Sequence, residues 1–282
     1  MKTIDMTLIA DSGSTKTHWA LAGSGSVLAQ TQGINPVHQS REQMADILAQ
    51  ELLPHVPHPS AIKRIQFYGA GCTATNTAIV ESLLIELFPA ARVEVGTDLL
   101  GAARALFADR PGIACILGTG ANSGLYNGHD IMANTPPLGY ILGDEGSGAN
   151  LGIRFLNALY KGRLPRHVAE DFERETQLTY ADIIGRVYRE PMANRFLASL
   201  TPFVHSQLYV PEVSQLVEEA FTDFFRRNLS PYGRRDLPVG FVGSIAFHFD
   251  QQLSRVAQRE GYTMGEIVKD PIEKLKNKMS VF

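Results

Sequence analysis

The sequence predicts an α/β protein of two lobes with a cleft between them. Three observations lead there. The chain of 282 residues is too long for one ordinary domain of about 150. Two stretches, starting at Met6 and at Ile113, each open with an apolar strand, a turn of small residues and a returning strand. Between and after them, helical apolar spacing alternates with short apolar runs, the pattern of sheets covered by helices. With 44% apolar residues there is ample material for a core.

Taken in order, Met6 to Ala10, Lys16 to Ala22 and Val27 to Thr31 read as a meander of three strands, turned at Asp11-Ser12-Gly13-Ser14 and at Gly23-Ser24-Gly25. Ser40 with Gln43 three residues on makes a capping box ahead of Met44, Ile47, Leu48 and Leu52. Three prolines over residues 54–59 predict a loop. Strands at Arg64 to Tyr68 and Arg92 to Gly96 flank a helix over Thr75 to Phe88, and Asp98 reads as the N-cap of the next helix. The second lobe repeats the opening with Ile113 to Leu117, Ser123 to Tyr126 and a hairpin signal at Asn127-Gly128. Residues 147–230 carry helical patterns. Val239 to Val242 is a buried strand, one helix spans Ile245 to Arg259, and a strand near Tyr262 to Val268 precedes a helix from Pro271. The lobes divide as residues 1–108 and 109–282, with the helix after about residue 270 able to return to the first lobe.

Charge excludes several function classes. Lys and Arg number 26 against 29 Asp and Glu, giving a net charge of −3, and no basic block offers a footprint for nucleic acid or an anionic membrane. Asp5 and Asp11 interrupt the first apolar stretch, and no apolar run reaches the ~18–20 residues of a membrane span. Cys72 and Cys115 match no zinc spacing and make no disulfide framework. A cytoplasmic protein is expected.

Turns of small residues let backbone N–H groups approach a phosphate. Asp11 to Thr17 (DSGSTKT) offers hydroxyls, Lys16 and a carboxylate suited to Mg²⁺ through water, though without the spacing of a P-loop. Gly118 to Ser123 (GTGANS) is a poor dinucleotide fingerprint but a natural partner to the first turn. Gly143-Asp144-Glu145-Gly146-Ser147-Gly148 puts two carboxylates among glycines, either as a solvated surface turn or as a ligand for a polyhydroxyl substrate or Mg²⁺. No G-x-S-x-G elbow occurs, and the histidines lack metal-ligand spacing.

These turns, followed by Gly243-Ser244, occur in the order found in the N-acetylglucosamine kinases, and the whole chain resembles the BadF/BadG/BcrA/BcrD ATPase family of the actin/hexokinase/Hsp70-like superfamily. The resemblance implies two ribonuclease-H-like lobes with ATP-Mg²⁺ and sugar in the cleft. It implies Asp11 as the water-mediated metal ligand, and Gly13, Ser14, Thr15, Lys16 and Thr17 together with Gly118, Thr119 and Gly120 as phosphate-binding residues. Gly243 and Ser244 would lie beside adenosine. Asn35, Asn122 and Asp144 would bind the sugar, and Asp98 would be both sugar ligand and general base toward the 6-hydroxyl. A homodimer acting on a small sugar and ATP is the family expectation. The sequence departs from relatives at Ser12 and Ser14, where glycine is frequent, near Leu138, where animal relatives have tryptophan, and at Lys274, where glycine is expected. Glucosamine, another hexose or N-acetylmuramate remain alternative substrates. A non-catalytic sugar sensor and a dehydratase activator are rival functions, the latter disfavoured because no cysteine follows Cys115.

Overall fold

A computed structural model describes residues 6–13, 15–22, 27–56, 58–73 and 75–278. The chain forms two compact units. One comprises the chain up to Arg110 with Asn127–Ile131 and everything from Asp270 onward, and the other Pro111–Tyr126 with Met132–Lys269.

In the first unit, β1 (Met6–Ser12), β2 (Lys16–Leu21) and β3 (Val27–Gln32) form an antiparallel meander, while β4 (Ile62–Gly69) and β5 (Arg92–Thr97) add in parallel beside β1. The sheet order is β3-β2-β1-β4-β5. Successive β1 side chains point to opposite faces, and both faces are buried. Leu8 and Ala10 join Trp19, Phe67, Met44 and Leu84 on the side covered by α1 (Arg41–Ile47) and α2 (Thr77–Leu87). Ile9 joins Ala20, Tyr68 and Ala105 on the side covered by α3 (Asp98–Phe107) and the closing helix Ile272–Lys278, which contributes Ile272 and Leu275. The Ser40–Gln43 capping box is present. The proline segment contains two short 3-10 turns, Leu53–His55 and Pro59–Ala61, because proline's fixed φ suits a first helical turn. The turn expected at Gly23-Ser24-Gly25 lies outside the described residues.

The second unit repeats the permutation. β6 (Gly112–Leu117), β7 (Ala121–Tyr126), β8 (Ile131–Ala133), β9 (Val239–Val242) and β10 (Met264–Val268) lie in the order β10-β9-β6-β7-β8, with β9 and β10 parallel to β6. Each sheet thus has the strand order of a ribonuclease-H-like core. The units differ in the insertion after the third strand. The first inserts α1 and the short turns after it. The second inserts α4 (Gly139–Leu142), α5 (Gly148–Tyr160), α6 (Arg166–Thr176), α7 (Tyr180–Tyr188), α8 (Ala193–Ser199), α9 (Thr201–Ser206) and α10 (Pro211–Phe224). The single helix expected over Ile245 to Arg259 is two, α11 (Ser244–His248) and α12 (Asp250–Arg259), separated at Phe249, whose buried ring packs edge-on against Phe221 and His205. Among the described residues no helix is long and apolar enough to cross a membrane.

Helix α3 approaches the sheet through Gly101. A Cβ there would meet the Tyr68 Cβ at 2.7 Å and Cγ at 2.8 Å. Gly101→Ala is therefore expected to push α3 from β4 and cost about 1–3 kcal/mol, read as a lower urea midpoint at unchanged slope.

Candidate active site

Parallel pairing sets the location of the site residues in each unit. In the first, Ser12, Gly69 and Thr97 are level across β1, β4 and β5, so Asp11 and Asp98 both stand at strand carboxyl ends. Ligands of open α/β sheets bind at such ends because the chain leaves the ladder there with free backbone groups. Asp11 lies opposite His18 on β2 and Tyr68 on β4. Burial raises its carboxyl to about 7, reinforced by the negative charges of Asp98 and Asp270 and opposed by Lys16. Asp98 is the first residue of α3, not its cap: the Thr97 hydroxyl accepts from Leu100 N–H at 3.0 Å, while Asp98 Oδ1 accepts from Leu99 N–H at 2.8 Å. Thr97 is the better placed of the two because its extended backbone precedes the helix. Burial pushes the Asp98 carboxyl up despite its hydrogen bonds from the backbone.

The first turn divides in role. Gly13 N–H donates to Lys16 C=O at 3.0 Å, closing the hairpin, and Gly13, Thr15 and Lys16 are exposed. Thr17 is not: its hydroxyl is buried, 2.7 Å from Ser12 Oγ and donating to Gln32 C=O at 3.1 Å. The hydroxyl ties β2 to β1 and β3. Ser14 lies outside the described residues. Asn35 is buried, its backbone N–H bound to Gln39 Oε1 and its Oδ1 accepting from Val37 N–H. Gly71, at φ +77°, lets the loop after β4 close on it, for a Cβ there would stand 2.2 Å from Asn35 Oδ1. Among the described residues the Asn35 amide nitrogen has no partner.

In the second unit the three remaining motifs converge. Gly118 N–H donates to Gly120 C=O, and the carbonyls of Gly118 and Thr119 accept from Gly148 and Ala149 N–H at the start of α5. Asp144 lies against this turn. Its Oδ1 accepts from Ala121 N–H at 3.2 Å, and a Cβ on Gly120 would meet its Oδ2 at 3.0 Å. Asp144 is buried at φ +52°, so the alternative of a solvated surface turn fails. Its neighbour Glu145 points elsewhere, to Arg227 and Asn228. Burial pushes the Asp144 carboxyl up to about 6, with the Ala121 hydrogen bond pulling down and Glu145 adding to the rise. Asn122 Oδ1 accepts from Ser123 N–H and Asn134 Nδ2, and its own amide nitrogen is without a partner among the described residues. Gly243 comes directly after β9 at φ +115°, its would-be Cβ 2.3 Å from Leu117 C=O, and so brings the exposed Ser244 beside the second turn.

Sequence reasoning missed Asp270 and His18. Asp270 Oδ1 is 3.6 Å from Lys16 Nζ and 3.5 Å from His18 Nδ1. Among the described residues no group of three or more His, Cys, Asp or Glu is placed to hold a metal by itself. The Asp11 carboxyl, raised by burial and by the charges of Asp98 and Asp270, has the chemistry to suit a divalent cation that takes its other ligands from water and phosphate, as Mg²⁺ does.

No family model matches the chain. The crystal structure of a Porphyromonas gingivalis protein, provisionally named an N-acetylglucosamine kinase, superposes with a TM-score of 0.93 at 49% identity, covering 96% of this chain and 97% of that one. The N-acetylmuramic acid/N-acetylglucosamine kinase of Clostridium acetobutylicum is 28% identical over 166 residues, 55% of this chain. The chain therefore matches about half (54%) of that curated relative's length. The ROK family glucokinase of Streptomyces griseus, solved with glucose and AMPPNP, shares the fold at a TM-score of 0.55 and 14% identity over 98% of both chains.

The Asp144 carboxyl titrates near 3.8 unfolded and about 6 folded. Between those values the folded protein keeps a proton that the unfolded chain releases, so this contribution favours folding at low pH and is lost as pH rises to about 6. Asp144→Asn keeps an acceptor for Ala121 N–H without the charge. It should exceed the native chain in stability at pH 8 by on the order of 3 kcal/mol, the difference vanishing below about pH 4 in denaturant titrations.

Proposed function

The chain belongs to the N-acetylglucosamine kinase-like family, and from that premise we propose that it is an ATP-dependent sugar kinase that phosphorylates the 6-hydroxyl of N-acetylglucosamine. The observation that carries the chemistry is Asp98. Its carboxyl is fixed at the first position of α3, made more basic by burial, and in the same unit as Asp11 and Lys16. Phosphoryl transfer asks the protein for positioning, charge neutralisation and one proton acceptor, not a covalent nucleophile. Asp98 accepts the proton of the sugar 6-hydroxyl as that oxygen attacks the γ-phosphorus in line. The bond to the β–γ bridging oxygen breaks, and ADP leaves.

In this reading Asp11 would hold Mg²⁺ through water, and the ion would supply charge neutralisation for the nucleotide phosphates. Thr15 and Lys16, exposed beside Gly13 in the first turn, and Thr119 and Gly120 of the second would present N–H groups to phosphate, the N–H groups of Gly13 and Gly118 being paired within their own turns, and Lys16 adds its charge. Asn35 and Asn122 keep free amide donors for sugar hydroxyls, and Asp144 accepts from them. Gly243-Ser244 accommodates the adenosine. A site whose buried polar groups need these hydroxyls rejects sugars that lack them. We also place the enzyme in the cytoplasm as a homodimer, which sedimentation at twice the chain mass would support.

The test is ADP release from Mg-ATP with N-acetylglucosamine, glucosamine, glucose, N-acetylmuramate or no sugar. Release that requires N-acetylglucosamine is expected. N-acetylmuramate is the second substrate to watch, given what the Clostridium relative is named for. Sugar-independent hydrolysis, or none with any sugar, would overturn the reading. Asp98→Asn should still bind sugar while kcat falls by about 10²- to 10⁴-fold, and a variant at full rate would remove Asp98 from the mechanism.

A further inference from the structure

Asp270 is the residue at which the chain returns to the first unit, directly ahead of Pro271. The segment after it is well anchored. Pro271 C=O accepts from Lys274 and Leu275 N–H, and Ile272 and Leu275 are buried against Ile9 of β1 and Ala20 of β2. These are the strands that carry Asp11 and Lys16. Asp270 is thereby fixed relative to the first turn by packing rather than by its own side chain.

Its carboxylate has two cationic or ring-nitrogen neighbours, Lys16 Nζ at 3.6 Å and His18 Nδ1 at 3.5 Å. His18 is buried, its ring fixed by Gln30 Oε1 3.0 Å from Nε2, and its Nδ1 edge lies against Asp270. Lys16 differs, with its side chain 47% exposed. An exposed lysine pair of this kind adds little to stability. What it does supply is direction: a four-carbon stem that would otherwise sample many rotamers is tethered at one side of its ammonium, and the remaining donors face solvent. Tethering a group before the ligand arrives lowers the ordering cost of binding.

We propose that Asp270 is a positioning residue acting through Lys16, holding its ammonium beside the Gly13–Lys16 turn in the orientation that receives the nucleotide phosphates. The proposal rests on the kinase reading and adds a residue to it. Asp270 itself touches neither sugar nor phosphate. Its loss falls on nucleotide affinity and leaves the sugar and the proton transfer at Asp98 alone.

The experiment is calorimetric titration of AMPPNP with Mg²⁺ into the full chain, alongside ADP-release kinetics and melting temperatures. Asp270→Asn should weaken AMPPNP binding and raise KM for ATP by about 10-fold, with kcat within about 2-fold and sugar affinity unchanged. Lys16→Met should do the same, and adding Asp270→Asn to it should change binding by less than about 2-fold. Asp270→Glu should recover part of the loss. Native affinity in Asp270→Asn, or multiplying effects in the double variant, would overturn the proposal while leaving the kinase reading intact. A native chain that does not bind AMPPNP would overturn both. If Asp270→Asn melts well below the native chain, Asp270→Ser takes its place as a smaller uncharged polar residue.

Discussion

Parallel pairing of the first, fourth and fifth strands is the constraint on which each unit depends. It aligns three carboxyl ends at one edge of each sheet, at Ser12, Gly69 and Thr97 in one and near Leu117, Val242 and Val268 in the other. The antiparallel return strand then forces a tight turn at that same edge. At that edge Gly243 could carry no side chain without striking Leu117 C=O, and Gly71 none without striking Asn35, whereas Gly13 and Gly118 in the return-strand turns have room for one. The turns and carboxylates of the proposed site thus stand at the same edge of each sheet, in one topology used twice.

The carboxylates are held where charge is unfavourable. Burial, with mutual repulsion added at Asp11, lifts Asp11 to about 7, and burial lifts Asp144 to about 6 and raises Asp98 as well. A fold selected for stability alone would hydrate or neutralise such groups, or replace them by amides. Their presence fits the proposed site, which a cation and hydroxyl donors would complete. The two rigid networks around them, Ser12–Thr17–Ile34 on one unit and Ala121–Asp144 on the other, keep that arrangement in the absence of ligand.

Much of this was legible in the sequence, and the exceptions share causes. Strands with both faces buried announce themselves as apolar runs, and Ser40 with Gln43 spells its own cap. The motif turns were readable because small residues and carboxylates cluster within seven positions. Thr97 and Asp98 were not distinguishable by type, since either can cap a helix and only backbone angles decide. Phe249 interrupts a helix for reasons of aromatic packing against Phe221, which local spacing does not contain. Thr17 had the chemistry of a ligand, but its direction depends on strand pairing. Asp270 was invisible because its partners Lys16 and His18 lie some 250 positions earlier in the chain.

The carbonyls of Gly118 and Thr119 latch the second turn to the first amides of α5, a helix of 13 residues that ends at Tyr160, whose ring meets Tyr180 of α7 at 5.5 Å. A helix of that length is a stiff rod of about 20 Å. Two backbone hydrogen bonds thus join the turn to a rod whose far end is held by an aromatic contact, which ties the position of Gly118 to packing a helix length away.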